Sequence, residues 1–553
     1  MRSFRLPLLL IVIGIAAVAF LVYQLIAPRR TILLPDAGGT YVEGVAGAPQ
    51  SINPLLCQTN EADRDLCSLV FAGLTRFTDA GEVVPDIATT WDISSDGITY
   101  TFKLRGDAKW HDGQPVTADD VIFTIGLLQD PDFPGRQDIG AAWRSVKAVK
   151  TDPQTVQLAL KEPLASFADY TTIGLLPAHI LSGTKASALA SLNFNLQPVG
   201  DGPWRVAEAN TSGARVSQVS LEPYAGWYGT KPNISRLTFK YYPNTQAAVD
   251  ALLNGDVDGV GKLAPADLAR LDNRNDINIY TTKQARYGAL IINQRKDSGA
   301  LALSDKTVRQ ALMLALDRET IVREALNGQA VVANTPFIPD TWAYNPSVKQ
   351  YPYDPTRARQ ILQSAGYELA TVAPSNDLVW QKDGEPIAFT LLTPDDPSHR
   401  AVAELAAKQW RQIGVQVAVL PVTRNLERDF LTSRQFQVTL AEILLDGDPD
   451  PYALYHPSQA VQGQNYSGWD SKDAGQLLEN ARKTTDRVVR GDAYRKFQDL
   501  FAEDLPALTL YYPTYKYAIS NRVKNVQIPP LVYASDRLRT IGDWFVNTKR
   551  VIQ

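Results

Sequence analysis

The sequence predicts an α/β protein of two lobes joined by a double chain crossing, and three observations carry that expectation. Strand-like and helix-like segments alternate from about residue 40 onward, with no low-complexity tract and no internal repeat. Phe389 to Leu392, His399 to Ile413 and Val415 to Val422 read as strand, helix and strand, the spacing of a parallel βαβ unit with a right-handed crossover. The last strand-like segment, Thr509 to Ser520, reads TLYYPTYKYAIS, and nothing domain-sized follows it. Such a strand has to join a sheet built earlier in the chain. The C-terminus is therefore expected to return to the first lobe, and the two crossings to act as a hinge.

Each element has a local signature. Thr99 to Leu104, TYTFKL, alternates with period two and predicts a half-buried strand. Thr117-Ala118-Asp119-Asp120 predicts a helix start, with Thr117 as N-cap and Asp120 closing a capping box before Val121, Ile122, Ile125 and Leu128. Asp305 to Asn327 is expected to be one helix closed by Gly328. In the βαβ unit, Val402, Leu405, Ala406 and Ile413 share a helix face that Gly414 terminates. A late helix is expected over about Arg487 to Glu503, stopped by Pro506.

Composition narrows the function. The 55 basic and 59 acidic residues leave a net charge of -4, the wrong sign for a surface that meets phosphate backbones, so nucleic acid is not an expected partner. Leu6 to Ala27 carry no charge and are flanked by Arg2, Arg5, Arg29 and Arg30. That stretch is long enough to span a bilayer and longer than the apolar region of a cleaved signal. An N-terminal transmembrane anchor within residues 1–30 is favoured over a cleaved signal segment, with the rest of the chain outside the cytoplasm. Lipoprotein attachment is excluded, because no cysteine follows the apolar run before Cys57. The two cysteines, Cys57 and Cys67, are expected to form a disulfide, with two buried thiols as the alternative.

Motifs of catalysis are absent. The four histidines, His111, His179, His399 and His456, lie at no metal-pair spacing, and there is no HExxH, CxxC, GxSxG or Walker loop. Gly259 to Ala264 satisfies a relaxed GxGxxA pattern but is followed by Pro265, so a plain strand-to-helix turn is expected there. Asp446, Asp448 and Asp450 in LDGDPDP lack the glycine and distal glutamate of a calcium loop. Neither an enzymatic activity nor a cofactor or metal is expected.

The segment VFAGLTRFTDAGEVVPDIATTWDISSDGITYTFKLRGDAKWHDGQPVTADDVIFTI, Val70 to Ile125, resembles the signature of the family 5 extracellular solute-binding proteins, the oligopeptide, dipeptide and nickel binders of ABC importers. The resemblance continues through Pro198 to Trp204 (PVGDGPW), Leu252 to Asp258 (LLNGDVD), Val308 to Leu312 and Ala315 to Arg318, Tyr353 to Pro355, Ala365 to Tyr367, and Asn465 to Trp469 (NYSGW). It implies a type II periplasmic-binding-protein-like fold in its larger, three-domain variant. The expected division is 31–284 for lobe 1 with an inserted subdomain at about 75–200, 285–512 for lobe 2, and 513–553 for the return. Trp110, His111, Asp112 and Gly113 are expected to form a buried turn.

The resemblance also implies what the protein does: it captures a peptide or similarly sized polar solute by hinge closure and delivers it to ABC permease and ATPase subunits, as a monomer. A stand-alone sensor or peptide chaperone is the alternative, and an exported hydrolase a more distant one. In peptide-binding relatives an aspartate ties down the ligand's amine three residues before the aspartate of the GDP turn, and counting back from Asp448 reaches Leu445. Three residues earlier stands Glu442, the one charge in the apolar run after Val438, costly to bury without a partner. Glu442 is thus a candidate reader of a cationic or polyhydroxyl group, or else a carboxylate satisfied by a nearby arginine. A shifted alignment would bring Asp446 or Asp448 into the anchoring place. Asn465, Tyr466 and Tyr287 complete the candidate ligand-binding set.

Overall fold

The computed structural model describes residues 14, 31–79, 81–213, 215–339, 341–372, 377–445 and 447–552. In the first lobe, β1 (Thr40–Ala46) is followed by α1 (Glu61–Val70), whose N-cap Asn60 accepts the Ala62 N–H. Next comes an inserted four-stranded antiparallel sheet, which includes the TYTFKL strand with Tyr100, Phe102 and Leu104 buried. On it packs α2 (Ala118–Gln129), begun by the capping box of Thr117 and Asp120. The chain then returns as β2 (Arg236–Tyr242), parallel to β1 with Thr40 opposite Arg236. Gly259 to Gly261 form a short strand, β3, that turns into a helix at Pro265. The glycine-rich motif is therefore a strand-to-helix turn.

Two neighbouring strands then lead into the second lobe, β4 (Ile277–Lys283) and β5 (Arg286–Ile292). The second lobe contains the βαβ unit in full: β6 (Ala388–Pro394), α3 (Pro397–Gln412) and β7 (Gln416–Val422), the two strands parallel with Ala388 opposite Gln416. After it come α4 (Arg424–Ser433), β8 (Val438–Leu444) and α5 (Arg487–Asp504). The predicted helix over Asp305 to Asn327 is broken instead. It runs Lys306–Leu314, restarts at Arg318–Thr320 and ends as a π-helix, Ile321–Ala325. Asp317 causes the break, because its carboxylate accepts the Thr320 N–H at 2.9 Å as a fresh N-cap.

The final strand, β9 (Ala507–Ser520), belongs to both lobes. Its first half pairs with β5, Ile291 opposite Ala507 and Gly288 opposite Tyr511. Its second half pairs with β4, Lys283 opposite Thr514 and Ile277 opposite Ser520. The two crossings therefore lie side by side, linked by the Gln284 N–H donating to the Pro513 carbonyl at 3.0 Å. Leu508 and Leu510 pack in the second lobe's core, Tyr515, Tyr517 and Ile519 in the first. Between the lobes, Gln329 Nε2 donates to the Leu263 carbonyl, the Ala165 N–H to the Arg482 carbonyl, and Arg487 pairs with Glu82.

Arg537, beyond β9, anchors the returning segment. Its guanidinium donates to Glu43 Oε1 at 2.8 and 3.0 Å and to Asp65 at 2.6 and 2.7 Å, and all three residues are buried. The other Glu43 oxygen accepts the Tyr41 and Tyr517 hydroxyls. Five donors in a rigid fork suit this place; an ammonium would not satisfy both acids.

Trp110 to Gly113 form a turn closed by the Gly113 N–H on the Trp110 carbonyl, with Trp110 fully buried and Asp112 and Gly113 exposed. His111 locks it to the PVGDGPW loop: Nδ1 accepts the Gly200 N–H, so Nε2 carries the proton and donates to the Gly202 carbonyl at 3.0 Å. Burial pushes the ring's pKa down to about 4. In place of the expected disulfide the structure holds Cys57 and Cys67 as free, buried thiols. Burial raises the Cys67 pKa and keeps it a small apolar side chain of the first core. Among the described residues no helix is long and apolar enough to cross a membrane. The predicted anchor at 6–27 lies, except for Gly14, outside those residues.

Two outcomes follow from these networks. Arg537→Ala strands two buried carboxylates and should cost about 3–5 kcal/mol in urea unfolding, with Arg537→Lys recovering little of it. For His111, the unfolded ring binds a proton near pH 6.5 and the folded ring only near 4, so its contribution is full above about 6.5 and is lost as pH falls toward 4. The stability gap between wild type and His111→Gln should shrink by about 2 kcal/mol between pH 7 and 4.5. A gap independent of pH would show that the ring protonates without penalty.

Candidate functional site

Strand phase decides which side chains reach the junction of the lobes. On β5, Tyr287, Ala289 and Ile291 point into one core of the second lobe, and Leu290 and Ile292 into the other. Arg286 and Gly288 are in phase with Leu290. On β8, Val438 and Leu440 join that same core, so Glu442 is in phase with it at the end of the strand. Gly288 stands opposite both Glu442 and Tyr511, which puts the three in a line across adjacent strands. Tyr511 lies across the glycine, and its hydroxyl donates to Glu442 Oε1 at 3.2 Å. A Cβ on Gly288 would come within 2.3 Å of the Tyr511 ring, so only glycine permits this. Burial, then the Glu442 charge, pushes the Tyr511 pKa well above its ordinary value, which keeps the phenol a donor.

Arg286 flanks the carboxylate, with Nη1 at 3.6 Å from Glu442 Oε2, an ion pair too long for a hydrogen bond. Glu442 stands in the walls of two cavities. The first, of about 240 Å³, lies at the crossing and is lined by Pro265 of the first lobe together with Gln284, Arg286, Ser398, Tyr511 and Thr514. The second, of about 400 Å³, lies on the second lobe and is lined by Arg424, Glu427, Arg428, Leu445, Asp448 and Tyr466. Glu427 is buried, and that burial raises its pKa against the pull of Arg424.

The sequence-predicted residues divide around this arrangement. Glu442 opens into both cavities and also has its arginine neighbour. Leu445 lines the second cavity while its N–H is spent on the Ala285 carbonyl at 2.7 Å. Tyr466 lines it too, with the Arg434 guanidinium 4.7 Å above its ring. Asp448 reaches the wall, but its carboxylate is held by Arg490 at 2.6 Å, as Asp450 is by Arg482 at 2.5 Å. The LDGDPDP loop is therefore braced by arginines. Asp446 lies outside the described residues.

Two candidates are placed away from the cavities. Tyr287 is fully buried in the core, its hydroxyl on that of Tyr455 at 2.8 Å, because it is out of phase with Arg286 by one residue. Asn465 is fully buried and braces its own turn, donating to the carbonyls of His456 and Trp469. The site residues missed by sequence reasoning are Arg286, Tyr511, Thr514 and Glu427. Arg286 adjoins a residue that was chosen, and only the phase of the folded strand separates the two.

Two lobes joined by paired crossings, with a charged cavity at the joint, define the class of hinged solute-binding proteins. The sequence profile of bacterial extracellular solute-binding proteins, family 5 (middle region), matches residues 82–466, and the chain belongs to that family. It is 29% identical over 510 residues to the dipeptide-binding protein of Escherichia coli K12, covering 88% of this chain and 91% of that one. With the oligopeptide-binding protein AppA of Bacillus subtilis it shares 28% identity over 505 residues, covering 90% of each. The AppA structure with a nonapeptide superposes with a TM-score of 0.70 over 93% of this chain and 100% of that chain. NikZ of Campylobacter jejuni with Ni(L-His) does so at 28% identity, again with a TM-score of 0.70, over 92% and 99%. Family membership makes solute capture this protein's work.

Gly288→Ala should move the Tyr511 ring off Glu442. Its expected signature is weaker solute binding together with a stability loss of about 1–3 kcal/mol, read from titration calorimetry and urea unfolding of the same preparation.

Proposed function

We propose that this chain is the capture subunit of an ABC importer, tethered through residues 6–27 with its lobes outside the cytoplasm, and that Glu442 reads a cationic group of the solute. One observation carries the reading: Glu442 is a carboxylate in the wall of both cavities, at the joint where the lobes meet, and Arg286 pairs with it only loosely. An acceptor with one phenolic hydrogen bond and one distant cation has free lone pairs for a ligand N–H. Solute held there touches residues of both lobes and favours the closed arrangement by differential affinity. The tether keeps the domain close to its permease. The relatives named above support a peptide or a comparably small polar solute. Leu445, which carries no charge where peptide binders place their amine anchor, argues for a different mode of holding it.

The test begins with mass spectrometry of solute carried through gentle purification. Its affinity is then measured for wild type and Glu442→Gln. The isosteric amide should bind at least tenfold more weakly, about 1.4 kcal/mol. X-ray scattering should show the radius of gyration falling when wild type is saturated. Equal affinities would remove Glu442 from recognition, and an unchanged radius would remove hinge closure.

A further inference from the structure

Arg286 is poorly satisfied at the joint. Among the described residues its side chain has one ionic partner, Glu442 at 3.6 Å, and its Nε is buried with no hydrogen bond. The Thr514 hydroxyl, in the wall of the same cavity, is likewise buried without a partner. A buried donor left unpaired is costly, and a guanidinium fork is the side chain that best matches a carboxylate. The cavity at the crossing thus sets two unfinished donors beside a carboxylate that has lone pairs to spare.

Spacing selects among ligands. In an α-amino acid the ammonium nitrogen and the carboxyl carbon are bonded to one carbon and lie about 2.5 Å apart. In a peptide each further residue separates the two charged ends by up to about 3.5 Å more. The Arg286 and Glu442 side chains approach to 3.6 Å, close to the first spacing and well short of an extended dipeptide's. Resting on the reading of Glu442 as a cation acceptor, we propose that this cavity takes the α-amino-acid head of the solute. The ammonium meets Glu442, and the carboxylate meets Arg286 and Thr514. A zwitterion inserted there replaces one loose protein ion pair with two direct ones, so neither charge of the pair is left exposed to the other's absence.

Titration calorimetry of the full-length protein against the standard L-α-amino acids tests this, with the strongest binder then compared with its amide and its N-acetyl derivative. At least one amino acid should bind. Its amide should bind at least tenfold more weakly to wild type, but no more weakly than the free acid to Arg286→Gln. Its N-acetyl form should lose a similar factor in wild type and none in Glu442→Gln. If acid and amide bind wild type equally, the carboxylate site is overturned while the Glu442 reading stands. If the N-acetyl form binds as well as the free amine, the Glu442 reading falls with it. Alanyl-alanine binding more tightly than every amino acid, or no amino acid binding at all, overturns the single-head assignment. Should Arg286→Gln lose its fold by circular dichroism, the acid and amide comparison in wild type still decides the matter.

Discussion

One strand couples everything else in this molecule. At about 3.3 Å per residue β9 is long enough to reach from the core of one lobe into the core of the other, and its partner changes from β5 to β4 along the way. Pro513 stands at the changeover, opposite Ala330, and supplies a carbonyl but no N–H to the ladder. Both chain crossings pass between the lobes within a few residues, Gln284 and Ala285 on one and Tyr512 to Thr514 on the other. Tyr511 and Thr514 sit on the two sides of that point. The groups that line the cavity are therefore the groups that stand at the changeover.

Two carboxylate–arginine arrangements on either side of this strand illustrate different uses of the same chemistry. Glu43, Asp65 and Arg537 are closed on themselves, each carboxylate oxygen receiving donors at hydrogen-bond distance in a site without water access. That arrangement holds the returning segment rigidly, and removing any member exposes the desolvation penalty of the others. Glu442 and Arg286 are half-open, 3.6 Å apart, and among the described residues their side chains make one hydrogen bond, that of Glu442 with Tyr511. An unsaturated pair beside a cavity gains from a ligand what a saturated pair cannot.

Much of the local structure was legible because it depends on near neighbours. TYTFKL alternates because only one of its faces is buried, and the Thr117 to Asp120 box closes within four residues. The βαβ unit announced itself through one apolar helix face and a terminating glycine. The break at Asp317 was not legible, since capping there competes with an otherwise continuous helical pattern and is supported by Gln409 from α3, whose side chain accepts the Asp317 N–H. Nor was the choice between Tyr287 and Arg286. The segment RYGALII is buried on both faces, so its residues carry no alternation from which phase can be read. Contacts such as Asp448 with Arg490 and Tyr287 with Tyr455 join residues far apart in the chain, beyond any local pattern.

Glu442 was legible for the opposite reason, as a charge where the run around it is apolar. Its position has a consequence for recognition. Leu445 lies with the core of Tyr287 and Ile291, whereas Glu442, three residues earlier, is in phase with Leu440 and the opposite side of the sheet. Moving a carboxylate from one position to the other does more than shift it along the strand; it turns the charge toward the crossing, where Arg286 and Tyr511 already stand. The strand that carries Tyr511 and Thr514 is the one whose pairing passes from β5 to β4, so the wall of the cavity and the junction of the two cores share side chains.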